Sequence, residues 1–252
     1  MSAPSRRTVA IIQARMGSER LPGKVLLPLL GEPMLTRVVR RTARAGRLDE
    51  VVVATTDQPA DDAIVELADR EGWHVVRGSA HDLLDRYVVA ARAHDAEVIV
   101  RITSDCPLID PEVIDRTIAA FDAADVDYAS NSLEPRTFPR GLDVEVVSRA
   151  ALERAWREDA DPAWREHATP YVYRHPEAFR VLAVRSEDDQ SEQRWSVDTP
   201  EDYELVRRIY EAIGRDDFGW REALAVVVAH PDWAALNRHI VQKPLPPAGR
   251  SV

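Results

Sequence analysis

Short apolar runs alternate with longer amphipathic segments along this chain, and that rhythm constrains its fold more than any other feature. Residues 9–14, 51–54, 74–77 and 97–102 have the length and β-branched content of buried strands. Between them, residues 33–45, 60–71 and 81–94 carry helical periodicity, and a further helix over 111–124 begins, like the first, with proline in its opening turn. A strand at 126–130 follows. Repeated strand–helix order of this kind predicts a parallel sheet covered by helices on both faces. Ligands of such sheets gather beyond the carboxyl ends of the strands, which points to the loops after Ala14, Ala54 and Ile102. The second half is more mixed. It reads as strands at 142–147 and 179–184, helices at 149–157, 164–174 and 200–213, and two short helices within 218–240 around His230-Pro231.

With 252 residues and no evident linker, the chain reads as a single unit over 7–242. Residues 7–130 and 131–242 read as the two halves of that unit, while 1–6 and 243–252 are expected to be disordered tails. The net charge of −10 argues against a nucleic-acid partner, which would call for a basic surface, although a local basic pocket stays compatible with it. One cysteine, Cys106, excludes an internal disulfide and fits a reducing compartment. The opening apolar run is too short for a signal peptide and no stretch has the length of a membrane span, so the expectation is a cytoplasmic protein.

The chemistry concentrates in a few places. Residues 13–24, QARMGSERLPGK, follow the first strand and are too long and too cationic for a simple turn. Gly17 and Gly23 permit close backbone approach, while Arg15, Arg20 and Lys24 gather positive charge, as a polyphosphate requires. The glycine spacing is neither a Walker loop nor a dinucleotide fingerprint. A solvated basic loop is the alternative, and the position after the first strand favours phosphate. Asp105, just past the fourth strand, suits a magnesium ligand, whereas Asp110 before Pro111 reads as a helix cap. Asp198 before Thr199-Pro200 reads equally well as a metal ligand or as a helix start. In the second half, Asn131, Arg140, Asp143, Glu145, Glu166, His167 and Trp195 form a possible acceptor group, with Arg140 beside flexible Gly141 suited to a carboxylate or phosphate. Cys106 precedes proline and reads as packing. Ser18 lacks a nucleophile elbow, and no spacing among the histidines, His74 and His94 included, resembles a zinc site. Arg37, Arg40, Arg41, Arg44 and Arg47 recur at helical spacing and read as a solvated face.

The ordered set of motifs resembles the CMP-sugar synthetase (cytidylyltransferase) family. It comprises the 13–24 loop, ATTD at 54–57, GSAHDLLDRY at 78–87, RITSDCPLIDP at 101–111, RGLDVE at 140–145, EHATPY at 166–171 and WSVDTPEDY at 195–203. Within the family it looks like the spore coat polysaccharide biosynthesis protein F and acylneuraminate cytidylyltransferase-like branch. The resemblance implies an α/β, Rossmann-like nucleotidyltransferase (glycosyltransferase-A-like) three-layer fold with a mixed, mostly parallel sheet. It further implies CTP as donor, Mg2+ (or Mn2+), and a homodimer, for which the apolar run 224–228 offers a contact. It decides Asp198 as the second metal ligand beside Asp105. Ala14, Arg15, Gly17, Ser18, Arg20, Lys24, Thr55, Asp57, Arg86 and Ser104 become the nucleotide-binding set, and Arg15, Lys24, Asp105 and Asp198 the catalytic one. Asn131, Arg140, Glu145, Glu166, His167 and Trp195 become the acceptor set. The expected reaction places CMP on a small acidic acceptor (a sugar acid, phosphate or phosphonate) with loss of pyrophosphate. A nucleotide-sugar glycosyltransferase using Asp125-Val-Asp127, and a non-catalytic nucleotide-binding protein, are the rival readings.

Overall fold

The computed structural model describes residues 6–243. Its strands are β1 (Thr8–Gln13), the short hairpin β2 (Pro28–Leu29) and β3 (Glu32–Pro33), β4 (Glu50–Thr56), β5 (His74–Gly78), β6 (Val98–Thr103), β7 (Tyr128–Ser130), β8 (Glu145–Ser148) and β9 (Val181–Ala183). Seven of them form one sheet in the order β5-β4-β1-β6-β8-β7-β9. β8 runs antiparallel to both of its neighbours, and every other pairing in that sheet is parallel. The mixed, mostly parallel sheet expected from the sequence is therefore present.

The helices are α1 (Met34–Thr42), α2 (Asp62–Glu71), α3 (Leu83–Ala93), α4 (Pro111–Ala124), α5 (Arg149–Glu158), α6 (Pro162–Arg165), α7 (Pro170–Arg174), α8 (Pro200–Ile213), α9 (Trp220–Ala229) and α10 (Pro231–Ala234). They cover both faces of the sheet. Ala10 and Ile12 of β1 point into a core shared with α1, α2, α4, α8 and α9. The alternate residues Val9 and Ile11 point into a second core with α3, α5 and α7. Sequence dictates several boundaries directly. The Asp110 carboxylate caps α4 by accepting from the amides of Glu112 and Val113, and Pro111 fills the first position, where no N–H is needed. Thr199 and Asp202 form a reciprocal capping box at the start of α8.

Three expectations need correction. The helix read over 164–174 is broken into α6 and α7, because Pro170 has no amide to donate and Ala168 adopts φ 66°, outside the helical region. The break frees Glu166 and His167 to stand at the surface. The arginine stripe of α1 is not a solvated face: Arg37 and Arg41 are buried. Arg41 donates from Nε to the Ile109 carbonyl (2.7 Å), from Nη1 to that of Asp216 (2.8 Å) and from Nη2 to that of Phe218 (2.9 Å). It also stacks 4.4 Å over the Phe218 ring. Finally, Arg6 and Lys243, assigned to the tails, are described and form ion pairs with Asp122 and Glu19, both at 2.7 Å. The rest of those tails, 1–5 and 244–252, lies outside the described residues. Among the described residues, no helix is long and apolar enough to cross a membrane. In the run 224–228, Val227 packs into the core while Val228 is 69% exposed.

Arg41 predicts a stability difference. Arg41→Ala removes the donor shared by three loop carbonyls and is expected to cost roughly 2–4 kcal/mol. Arg40→Ala, at a half-exposed pair with Glu71, is expected to cost under about 1 kcal/mol. Urea unfolding of both variants measures the gap, and equal midpoints would contradict the role given to Arg41.

Candidate active site

A cleft of about 470 Å³ opens beyond the carboxyl ends of β1 and β6, roofed by loops from the second half. Its first wall is the loop after β1. The buried Asp61 carboxylate accepts from the Met16 amide (2.6 Å) and from the Thr56 hydroxyl, which ties this loop to the end of β4. Gly23 closes the loop at φ 69°, donating to the Met16 carbonyl at 3.0 Å. Anchored in this way, Ala14, Arg15, Gly17, Ser18, Arg20 and Lys24 all line the cleft.

At the floor, one ammonium joins three segments of chain. Lys24 Nζ donates to the Val197 carbonyl (2.6 Å), Asp198 Oδ1 (3.0 Å) and Asp105 Oδ2 (3.3 Å). Asp105 Oδ1 accepts from the Thr103 hydroxyl at 2.5 Å. Asp198 Oδ2 meets Arg194 at 2.8 Å and Arg20 at 3.2 Å, and Arg194 is itself held by fully buried Asp202. Burial alone would raise the pKa of Asp105, but the Lys24 charge and the Thr103 hydroxyl outweigh it, and the net shift is downward. For Lys24 burial would lower the pKa, and the two aspartates reverse that into a rise. Both groups are charged at neutral pH.

A second network underlies the opposite wall. Arg101 on β6 and Glu145 on β8 are register partners and form an ion pair. Gln13 Oε1 accepts from Arg101 Nε at 3.0 Å, and Glu145 also accepts from Tyr128 (2.7 Å) and Thr169. The acceptor-half loop is fixed by Gly141. At φ 105°, a Cβ added there would lie 2.6 Å from the backbone of Trp195 and Ser196, so only glycine lets these segments touch.

Three cleft cations have no side-chain hydrogen bond or ion pair among the described residues: Arg15, Arg86 and Arg140. Arg86 is only 4% exposed and its Nε has no partner. Burial lowers its pKa, as burial and then the neighbouring Arg136 lower that of Arg140. His167 keeps a solvent-open edge, yet the cleft wall desolvates its charged form and Arg101 repels it, so its pKa is lowered too.

Ser104, Asp105, Glu166, His167 and Asp198 join the lining as expected from the sequence. Five candidates stand apart from it. Thr55 is buried within β4, and Asp57 is exposed past the end of that strand, its amide bonded to the Gly78 carbonyl at 3.0 Å. Asn131 is spent on the Leu142 carbonyl (2.7 Å) and the Val144 amide (2.8 Å), bracing the segment before β8. Glu145 lies behind the wall with Arg101. Trp195 is fully buried in the core, contributing only backbone near the cleft. Sequence reasoning passed over Arg101, Arg136, Arg194 and Asp202. A charged residue inside the apolar run VIVRIT was the available signal for Arg101.

The match to known proteins decides the family. The family model for cytidylyltransferases spans residues 9–228. The chain belongs to the cytidylyltransferase family. It is 36% identical over 234 residues to the spore coat polysaccharide biosynthesis protein SpsF of Bacillus subtilis, covering 89% of this chain and 95% of that one. A solved cytidylyltransferase from Leptospira borgpetersenii superposes with a TM-score of 0.88 at 35% identity, covering 94% of this chain and all of the other. Over 114 residues the chain is 40% identical to a 3-deoxy-manno-octulosonate cytidylyltransferase of Trichlorobacter lovleyi, which is 45% of this chain and 44% of that protein. The protein is thus a CTP-dependent nucleotidyltransferase with the nucleotidyltransferase fold.

Three residues of this cytidylyltransferase find plain structural roles. Asp125 and Asp127, the spacing a glycosyltransferase would use, lie at the amino end of β7, away from the cleft, and pair with Arg180 at 2.9 and 3.2 Å. Cys106 touches the Thr103 hydroxyl at 3.1 Å, and burial pushes its thiol pKa well up, which makes it a packing residue rather than a nucleophile.

The depressed pKa of Asp105 gives a signed prediction. A carboxyl with a lowered folded pKa stabilises the fold above its unfolded value and loses that contribution as pH falls through the folded value. Asp105→Asn is therefore expected to be less stable than wild type at pH 7, with the difference closing below about pH 4. Urea midpoints across that range test it; a pH-independent difference would refute the linkage.

Proposed function

We propose that this cytidylyltransferase transfers CMP from CTP to a small acidic acceptor, releasing pyrophosphate. The observation that carries the reading is the set of uncompensated cations, Arg15, Arg86 and Arg140, facing one cleft of an otherwise acidic protein. Arg86 is a buried guanidinium without a protein counter-ion, and an anionic ligand returns the desolvation energy this costs. Two anions in one cleft account for their spread: a triphosphate against the first loop and Arg86, and an acidic acceptor against Arg140. The relative named for 3-deoxy-manno-octulosonate takes its name from a carboxylate sugar. A sugar acid is the acceptor class favoured here, ahead of a phosphate or phosphonate.

In the reaction, an acceptor oxygen attacks the α-phosphorus as the bond to the β-phosphate breaks. Arg15 and Lys24 meet the charge that grows on the departing phosphates, and the backbone around Gly17 and Ser18 supplies amides. Arg140 orients the acceptor. His167, kept neutral near pH 7 by its surroundings, is placed to accept a hydroxyl proton. Asp105 and Asp198 offer hard oxygen donors on two sides of a gap that already holds one positive charge, and that donor set fits Mg2+ or Mn2+. The metal would be held by those two aspartates and would neutralise phosphate charge. A homodimer belongs to the same proposal, with exposed Val228 within the contact.

Two outcomes follow. Pyrophosphate release from CTP, well ahead of ATP or GTP, is expected with an acidic-sugar panel, and Lys24→Ala is expected to lower turnover roughly 100- to 1,000-fold. A folded Lys24→Ala variant with wild-type turnover would overturn the assignment. Arg140→Ala is expected to raise the acceptor KM by about tenfold or more while leaving CTP affinity unchanged. Equal loss of CTP binding in calorimetry would move Arg140 to the donor side.

A further inference from the structure

At the sheet edge opposite the cleft, three side chains remote in sequence converge. Glu50 opens β4, His74 opens β5, and His94 follows the last turn of α3. Glu50 Oε1 lies 2.8 Å from His94 Nδ1 and 3.4 Å from His74 Nε2, and the three potential ligand atoms fall within 4.8 Å of one another. No spacing in the sequence shows this, since the three are brought together only by the parallel pairing of β4 with β5 and the return of α3. The Glu50 and His94 side chains are mostly buried, while His74 is 66% exposed and able to adjust. Arg7 supports the arrangement from behind. Its Nη2 holds the other Glu50 oxygen at 2.6 Å and its Nε bonds the His94 carbonyl at 2.8 Å, so Oε1 stays turned toward both rings.

The geometry points to a divalent transition-metal site of the zinc class formed by Glu50, His74 and His94. Two imidazoles and a carboxylate are a borderline-soft N/O set that suits zinc better than magnesium. Three protein ligands leave a fourth position for water. Ligand atoms around a tetrahedral zinc at about 2.0–2.2 Å stand roughly 3.3–3.6 Å apart; the Glu50 oxygen lies 2.8 and 3.4 Å from the two imidazole nitrogens, which are within 4.8 Å of each other. A carboxylate oxygen fixed by a guanidinium on its partner oxygen is the kind of support that orients metal ligands. β4 separates this site from the cleft by about 20 Å of strand. The metal therefore acts as a clamp joining β4, β5 and α3, not as part of the transfer chemistry.

The test uses the full chain, stripped of metal and titrated with Zn2+ in excess Mg2+, which occupies hard oxygen sites. Calorimetry is expected to give one Zn2+ per chain with a rise in Tm, and Co2+ substitution is expected to give the absorption of a four-coordinate ion. Loss of even a supporting residue costs a metal site roughly 10- to 100-fold in affinity, so His74→Ala is expected to weaken Zn2+ by about tenfold or more and abolish the Tm rise. Glu50→Gln provides a second variant with the same expectation, and Asp105→Asn is expected to bind Zn2+ as wild type does. Absence of binding by wild type, full binding by His74→Ala, or loss of binding in Asp105→Asn would each overturn the proposal.

Discussion

One ammonium holds the site of this protein together. Lys24 Nζ, from the loop after β1, lies between Asp105 and Asp198 and against the Val197 carbonyl, and these partners come from the end of β6 and the segment before α8. Charges so far from water tolerate no missing partner, because a buried charge left alone costs several kcal/mol. The layers behind the cluster answer to that demand. Arg194 and Arg20 neutralise the second oxygen of Asp198, and Asp202 compensates Arg194 while capping its own helix. A helix cap and a cleft-lining carboxylate thus share one electrostatic arrangement, since Asp198 lines the cleft and directly precedes Thr199, the cap of α8.

The cations of the cleft divide by whether the fold itself compensates them. Arg101 in the lining, and Arg136 and Arg194 behind it, each meet an internal carboxylate. Arg15, Arg86 and Arg140 meet none among the described residues. A protein with net charge −10 can in this way present a positive field over a few ångströms without being a basic protein.

Most of the fold was legible because strand and helix periods are written directly in the spacing of apolar residues, as in β1, β6, α4 and α8. Depth was not legible. The spacing of Arg37 and Arg41 states which face of α1 they occupy, but not that loops 109 and 216–218 would come down over that face and require donors. Thr55 and Trp195 sit within family-like motifs, yet strand alternation turns one into the core and packing buries the other. The first loop, Asp105 and Arg140 could be placed because local features mark them: glycines, clustered charge and the end of a strand. Arg194 and Asp202 act by pairing with each other over eight residues at the entry to α8, and neither helix nor strand periodicity marks such a pair.

β8 lies between β6 and β7 although it follows both in the chain. During synthesis from the amino end, the edge of β6 stays bare until residues 145–148 arrive and insert, and Glu145 comes with them. Until then Arg101 has no counter-charge on that edge, and the wall that carries Gln13 and Arg101 lacks its backing. A chain that holds the complete loop after β1 but not residues 145–148 lacks the backing of that wall. The pairing that closes the sheet is also the pairing that neutralises Arg101, so this wall of the cleft gains its shape and its charge balance together.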